Sequence, residues 1–131
     1  MTDWTNLPEF DGVDLSESYV LGWQTAPSDL IFQLEVALVP GHPRYHAPRE
    51  NERICWMLGH LHFPNAADVA GLLSQEEVPG ATDATGAKDY GNIDGLSWSD
   101  GCAHVFGEFG DVTLASARPF ITLLDSHKRA V

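Results

Sequence analysis

The sequence predicts an all-β protein, mainly an antiparallel meander, with little helix. Apolar residues alternate with polar residues at period two in at least five segments, which is typical of strands. Two-residue turn signals separate the C-terminal segments, and no segment combines helical spacing with capping residues. Because such a sheet must cover one face, a curled sheet, a two-layer sandwich and a partly open barrel all fit the pattern.

The N-terminal half predicts an irregular arm followed by three strands. The arm covers residues 1–14, where Pro8, Gly12 and four acidic residues interrupt any pattern. The first strand, 17–23, places Tyr19, Leu21 and Trp23 on one face, and a turn follows over 24–29. The strongest alternation marks the second strand, 30–38, with apolar Leu30, Phe32, Leu34, Val36 and Leu38 around polar Gln33 and Glu35.

The third strand, 53–63, is largely apolar on both faces at its start, so we expect it in the interior of a sheet. It puts Cys55, Met57, Leu61 and Phe63 on one side, and Ile54, Trp56, Leu58, His60 and His62 on the other. A polar loop, 40–52, precedes it and carries three prolines and two arginines.

The C-terminal half alternates short strands with turns. Residues 68–73 are either a strand or one helical turn, and 74–92 is the longest irregular region. Hairpin turns are predicted at Asp100-Gly101 and at Gly110-Asp111. The strands around them are 93–98, 102–109, 112–117 and 120–124, with a polar tail over 125–131.

Composition indicates one acidic globular domain covering 1–131. Apolar residues make up 44% of the 131 residues, and 19 Asp and Glu face 7 Lys and Arg, for a net charge of −12. Such a field repels nucleic acids and anionic membranes and attracts cationic partners. We therefore expect no nucleic-acid or membrane partner. The charge serves either to attract a basic protein as the partner or only to keep the chain soluble. Since the N-terminus lacks a basic, then hydrophobic leader, we expect a cytoplasmic protein.

Motifs for catalysis are missing from the sequence. It contains neither a Gly-x-Ser-x-Gly elbow nor a glycine-rich phosphate loop. Cys55 and Cys102 lie in apolar surroundings, so we interpret both as buried reduced thiols, with one disulfide as the alternative. No cofactor is expected, and a non-enzymatic protein is favoured.

His60 and His62 are the candidate metal ligands, and the alternative is that they are ordinary strand histidines near an edge or interface. In a strand, residues two apart point to the same face, so the two imidazoles should converge. A catalytic zinc site needs a third protein ligand, and His42, His46, His104, Asp83 and Glu108 are all open choices. The alternative function is therefore a small β-barrel metal- or ligand-binding enzyme that uses His60 and His62.

The loop 40–46 is the candidate recognition site. Pro40 and Pro43 stiffen a segment that displays His42, Arg44, Tyr45 and His46. Tyr and Arg are favoured as interface anchors, and a rigid loop has less entropy to lose on binding. Tyr90, beside the long glycine-containing region, is a further candidate anchor.

Residues 83–92 resemble a cation-binding loop only in part. Asp83, Asp89 and Asn92 supply oxygen ligands, but Ala87 and Lys88 interrupt the alternation that calcium loops require. We interpret Gly86 and Gly91 as positions of positive-φ turns instead.

Three short segments, 38–43, 89–94 and 107–110, resemble those of small uncharacterised bacterial β-rich proteins. The layout over 19–124 is similar to that of immunity proteins of bacterial toxin systems: an early long strand, a proline-rich loop, a strand ending in Leu61-His62-Phe63, and C-terminal hairpins. The resemblance implies an acidic inhibitor of a basic toxin, and it carries over no functional residues. The leading hypothesis is thus a non-enzymatic acidic protein-binding module, and a homodimer through an edge strand is compatible with it.

Overall fold

A computed structural model describes residues 1–25, 27–48, 50, 52–82, 86 and 88–124. Over these ranges the chain is all-β, as predicted, and its helical segments are three single 3-10 turns. The turns are Trp4–Asn6, Pro8–Phe10 and Gln75–Glu77. The strands are β1 Thr2–Asp3, β2 Val13–Thr25, β3 Asp29–Leu38, β4 Cys55–Pro64, β5 Ala67–Leu72, β6 Ala81–Thr82, β7 Lys88–Asp89, β8 Ile93–Ser99, β9 Cys102–Gly107, β10 Gly110–Ala115 and β11 Phe120–Leu123.

Two antiparallel sheets contain most of the strands. Sheet I has the order β1-β8-β9-β10-β5, and sheet II has the order β11-β4-β3-β2, while β6 and β7 form a separate ribbon. Each sheet contains one meander, β8-β9-β10 in sheet I and β2-β3-β4 in sheet II. The chain crosses from sheet II to sheet I between β4 and β5 and returns between β10 and β11.

The two sheets share one hydrophobic core, so the architecture is the sandwich among the three that the sequence left open. Phe32 of β3 meets Phe109, from the turn between β9 and β10, with ring centroids 4.7 Å apart. Trp23 of β2 also packs against Phe109, at 6.0 Å. Inward residues of β3, β4, β8, β9 and β10 complete the same buried cluster.

The alternation predicted for β3 and β4 is confirmed. Leu30, Phe32, Leu34, Val36 and Leu38 are all buried, and β4 lies between β11 and β3 in the interior of sheet II. The core side of β4 consists of Cys55, Met57, Leu61 and Phe63. Its outward side chains, by contrast, are half-buried.

The predicted shared face of Tyr19, Leu21 and Trp23 is wrong. Val20 pairs with Leu34 while Gly22 pairs with Gln33, so β2 carries one extra residue at that point. This β-bulge reverses the alternation. Trp23 therefore enters the core, whereas Tyr19 packs outside the sandwich.

The N-terminal arm is more ordered than the sequence indicates, and β2 begins at Val13. Leu7 and Phe10 are buried in the core, and Trp4 packs edge-on against Phe10. Arg118 donates two hydrogen bonds to the Glu9 carboxylate, at 2.6 and 2.9 Å, which attaches the arm to the approach of β11. Apolar burial thus gives the arm its structure.

The first C-terminal hairpin is confirmed, and the second is displaced. Asp100 and Gly101 both have positive φ, as a two-residue hairpin turn requires. The next turn lies at Glu108–Phe109 instead of Gly110-Asp111, because Gly107 pairs with Gly110. The fully buried Phe109 side chain favours this register. Residues 68–73 contain a strand, β5, and the predicted polar tail lies outside the described residues.

Candidate functional site

The predicted recognition loop follows β3 and is fixed by backbone hydrogen bonds. The Val39 amide donates to the Gly12 carbonyl at 2.9 Å, which ties the loop to the start of β2. The His42 amide donates to Val39 and the Tyr45 amide donates to His42, forming two consecutive turns. The loop therefore has a defined conformation before any partner binds.

The four loop side chains differ in exposure and in their contacts. Arg44 is exposed, and its Nη2 lies 3.5 Å from the Leu124 carbonyl oxygen at the end of β11. Tyr45 is half-buried and packs against the core. The Arg44 amide donates to His42 Nδ1 at 3.0 Å. Burial, and then the charge of Arg44, lower the pKa of His42, which favours the neutral ring.

His46 connects the loop to the first residue of β4. Its Nδ1 lies 3.3 Å from Cys55 Sγ, and Cys55 is buried, as predicted. Cys102 is exposed, so the prediction of a buried thiol there is wrong. Ala103 and Val105 take the inward positions of β9, and strict alternation therefore turns Cys102 outward. Both cysteines are free thiols.

A cleft of about 170 Å³ lies beside this loop, where β2 starts, β3 ends and β4 starts. Leu38, Val39, Pro40 and Tyr45 supply much of its apolar lining. Its charged lining residues are Asp14, Glu17 and Arg53. The carboxylates outnumber the guanidinium, so the cleft continues the acidic character of the chain.

Tyr90, the further candidate anchor, is buried and does not belong to this surface. Its side chain is 7% exposed and meets Trp23 edge-on, with ring centroids 5.1 Å apart. The Tyr90 amide donates to the Val20 carbonyl at 2.8 Å, which draws residue 90 against β2. This contact joins residues 70 positions apart, and no local sequence pattern reports it.

His60 and His62 point to the same side of β4, with ring centroids 5.9 Å apart. His62 Nε2 lies 2.9 Å from Thr122 Oγ1, and its ring stacks on Phe120 at 4.6 Å. Burial lowers the pKa of His62, the neighbouring His60 lowers it further, and Asp29 partly opposes both. His62 is therefore held mainly as a neutral ring that contacts protein groups.

The third metal ligand that the sequence left open does not join this pair in the described part of the chain. Across those ranges, no group of three or more His, Cys, Asp or Glu side chains is placed to hold a metal ion. His104 lies in sheet I, where it pairs with Asp111. Asp83 falls outside the described residues.

The 83–92 segment forms turns where it is described. Asp89 Oδ1 accepts a hydrogen bond from the Gly91 amide at 3.0 Å, so this carboxylate already fixes a turn. Gly86 and Gly91 both have positive φ, as expected.

The outer face of sheet II is a surface that the sequence reasoning missed. We use this name for the outward side of the sheet, whose large apolar and imidazole side chains are Tyr19, Ile31, Trp56, Leu58, His60, His62 and Phe120. Asp29, Gln33, Glu35 and Thr122 lie on the same side. The signal was present in the sequence, because both sides of 53–63 are largely apolar at its start. Burial in the core explains why the inward side of β4 is apolar. It does not explain the apolar residues Trp56 and Leu58 on the outward side.

No family model, curated protein or solved structure matches the chain. None of the helical turns in the described ranges is long and apolar enough to cross a membrane.

Proposed function

We propose that the protein is a non-enzymatic acidic module that binds a basic protein, in the manner of an immunity-type inhibitor of a basic toxin. The charge balance carries this proposal. The chain has 19 Asp and Glu but only 7 Lys and Arg. Even if every Lys and Arg formed an ion pair, most carboxylates would have no basic partner within the chain. Ion pairs such as Glu9–Arg118 neutralise only a small part of this excess.

The uncompensated charge favours a cationic partner through its long-range field. Such a field accelerates the encounter with an oppositely charged protein and disfavours acidic partners. A basic toxin is one protein of this kind. Exposed charges contribute little affinity once salt screens them, so a desolvated contact must supply the rest.

The loop 40–46 supports the proposal as one such contact. Its turns are already formed, so binding has little backbone entropy to remove. Arg44 is exposed, and Tyr45 is half-buried and packs against the core. An aromatic ring and a guanidinium on a rigid loop are typical anchors of protein interfaces.

Affinity capture from the native cell, followed by binding kinetics with the purified partner, tests this function. We expect a partner of high isoelectric point. We also expect faster dissociation for Tyr45→Ala, with Tyr45→Phe as the control that keeps the ring. Recovery of only acidic or neutral partners would contradict the function. A dissociation rate constant of Tyr45→Ala equal to that of the wild type would exclude the loop as an anchor.

A further inference from the structure

The outer face of sheet II carries several large apolar side chains where a sandwich ordinarily presents polar residues. Outward positions of a two-layer sandwich face water, so they should alternate with the core as polar side chains. On β4, however, the outward series begins with Trp56 and Leu58. The outward side of β9 and β10 in sheet I instead carries Cys102, His104, Asp111 and Thr113 beside a single phenylalanine, Phe106.

Contacts between side chains join the strands in two groups on this face, with the polar row Gln33, His60 and Thr122 between them. Tyr19 of β2 packs on Trp56 of β4, with ring centroids 5.6 Å apart. On the other side of β4, His62 stacks on Phe120 of β11, which is 36% exposed. Ile31 of β3 lies directly opposite His62 in the ladder. Aromatic and aliphatic groups therefore extend over all four strands.

Carboxylates belong to this face. Glu35 lies level with Tyr19 and Leu58, and it is only 9% exposed. Asp29 lies at one end of the sheet, close enough for its charge to raise the pKa of His62. The face thus combines large apolar side chains with carboxylates. The complementary surface is an apolar patch with Lys or Arg beside it.

The face is also continuous with the proposed contact loop. The Leu124 amide donates to the Leu58 carbonyl at 2.8 Å, so the chain after β11 runs beside the centre of the face. Arg44 of the loop reaches the carbonyl of the same residue, Leu124. One partner can therefore contact the loop and the face together.

We infer that the outer face of sheet II is the desolvated centre of the interface with the basic protein. Trp56 and Tyr19 are its aromatic anchors, and this inference rests on the proposed function. Exposed apolar patches on soluble proteins mark interaction sites, and interface energy concentrates in central aromatic anchors. The basic partner follows from the net charge of −12 on the chain, with Glu35 and Asp29 on the face itself.

Site-specific photocrosslinking in the native cell tests the inference. The photoreactive residue p-benzoylphenylalanine replaces Leu58 on the face, Arg44 on the loop, or Thr113 on the opposite sheet. We expect Leu58→p-benzoylphenylalanine to cross-link one basic protein that Thr113→p-benzoylphenylalanine does not capture. Binding of the purified partner is then compared for Leu58→Lys and Thr113→Lys, which change the charge equally.

Leu58→Lys should weaken binding of that partner about tenfold or more, while Thr113→Lys should change it less than about threefold. Phe120→Lys, at the edge of the same face, is a second variant with the same expected direction. Thermal melts show that each variant is folded before its affinity is compared. Equal losses of affinity for Leu58→Lys and Thr113→Lys would overturn the inference.

A cross-link from position 58 to a different occupant would also overturn the inference. Such an occupant is a second copy of this chain, or residues 125–131 of the same chain. A basic protein captured at position 44 and not at position 58 would overturn the assignment of this face as the interface centre. The proposed function would remain intact. Failure to capture a basic protein at either position would contradict the proposed function itself.

Discussion

At the scale of single residues, Leu34 shows how the core depends on one strand. It lies in β3, is 1% exposed, and faces Gly59 and Val20 on the flanking strands. Leu34→Ala should cost about 2–5 kcal/mol, because the lost side chain leaves a cavity in addition to the lost burial. Chemical denaturation measures this loss. Gln33→Ala, at the next and half-buried position, should cost less than about 1.5 kcal/mol. Similar losses for both variants would contradict the register of β3.

Glu35 shows what alternation can and cannot predict. Period two correctly turns its side chain away from the core side of β3, but its low exposure does not follow from the strand itself. Tyr19 and Leu58 lie opposite it on the two neighbouring strands. Burial of an outward residue thus depends on partners 16 and 23 positions away in the chain, which a local pattern does not contain.

His62 predicts how stability depends on pH. Burial and the nearby His60 lower its pKa below the ordinary value of 6.5, so the unfolded chain binds a proton more readily than the folded one. Stability is then complete above about pH 6.5 and decreases as the pH falls toward the lowered folded-state pKa. Thermal melts between pH 7.5 and 5.5 should show a smaller decrease for His62→Gln than for the wild type. His42→Gln should act in the same direction, because the pKa of His42 is also lowered. If the stability of His62→Gln decreased with pH as much as that of the wild type, the environment assigned to that ring would be contradicted.

At the scale of elements, the turns separate local from long-range causes. Asp100-Gly101 was predictable, because a two-residue turn needs positive φ at both positions and these residues tolerate it. The next turn was misplaced, although Gly110 is a good turn residue. Burial of Phe109 against Phe32 of the other sheet decides that register. Burial of a large apolar side chain therefore outweighs the local turn preference.

Gly71 of β5 gives a prediction about the edge of sheet I. It has a φ of 88°, and a Cβ there would collide with the carbonyl oxygen of Asp111 in β10. Gly101 has a similar φ of 82°, but nothing lies within 4 Å of a Cβ at that position. Gly101→Ala should therefore cost about 1–2 kcal/mol from backbone strain alone, and Gly71→Ala distinctly more. Comparison of their unfolding free energies checks this, and equal values would contradict the close approach of β5 to β10.

At the scale of the whole molecule, the strand class follows from the sequence and the layering does not. Periodicity predicts where residues such as Phe32 and Met57 turn inward. The return of β11 to sheet II and the pairing of β5 with β10 are long-range choices that such patterns do not specify. The site divides in the same way. The loop around Arg44 is a local feature and was predictable, whereas the burial of Tyr90 and the open outer face of sheet II depend on the assembled sheets.

The whole-molecule charge makes the central claim testable through kinetics. If the protein binds a basic partner, the field of a molecule with net charge −12 should act mainly on encounter. Salt shortens the reach of that field to about 8 Å at physiological ionic strength and further above it. Contacts made after desolvation, at the loop and at the outer face of sheet II, are screened much less.

The most direct measurement is the association rate constant with the purified partner between about 50 and 500 mM salt. Association should slow several-fold over this range, while the dissociation rate constant stays nearly unchanged. An association rate constant that does not respond to salt would contradict the claim that the charge of this protein selects a basic partner.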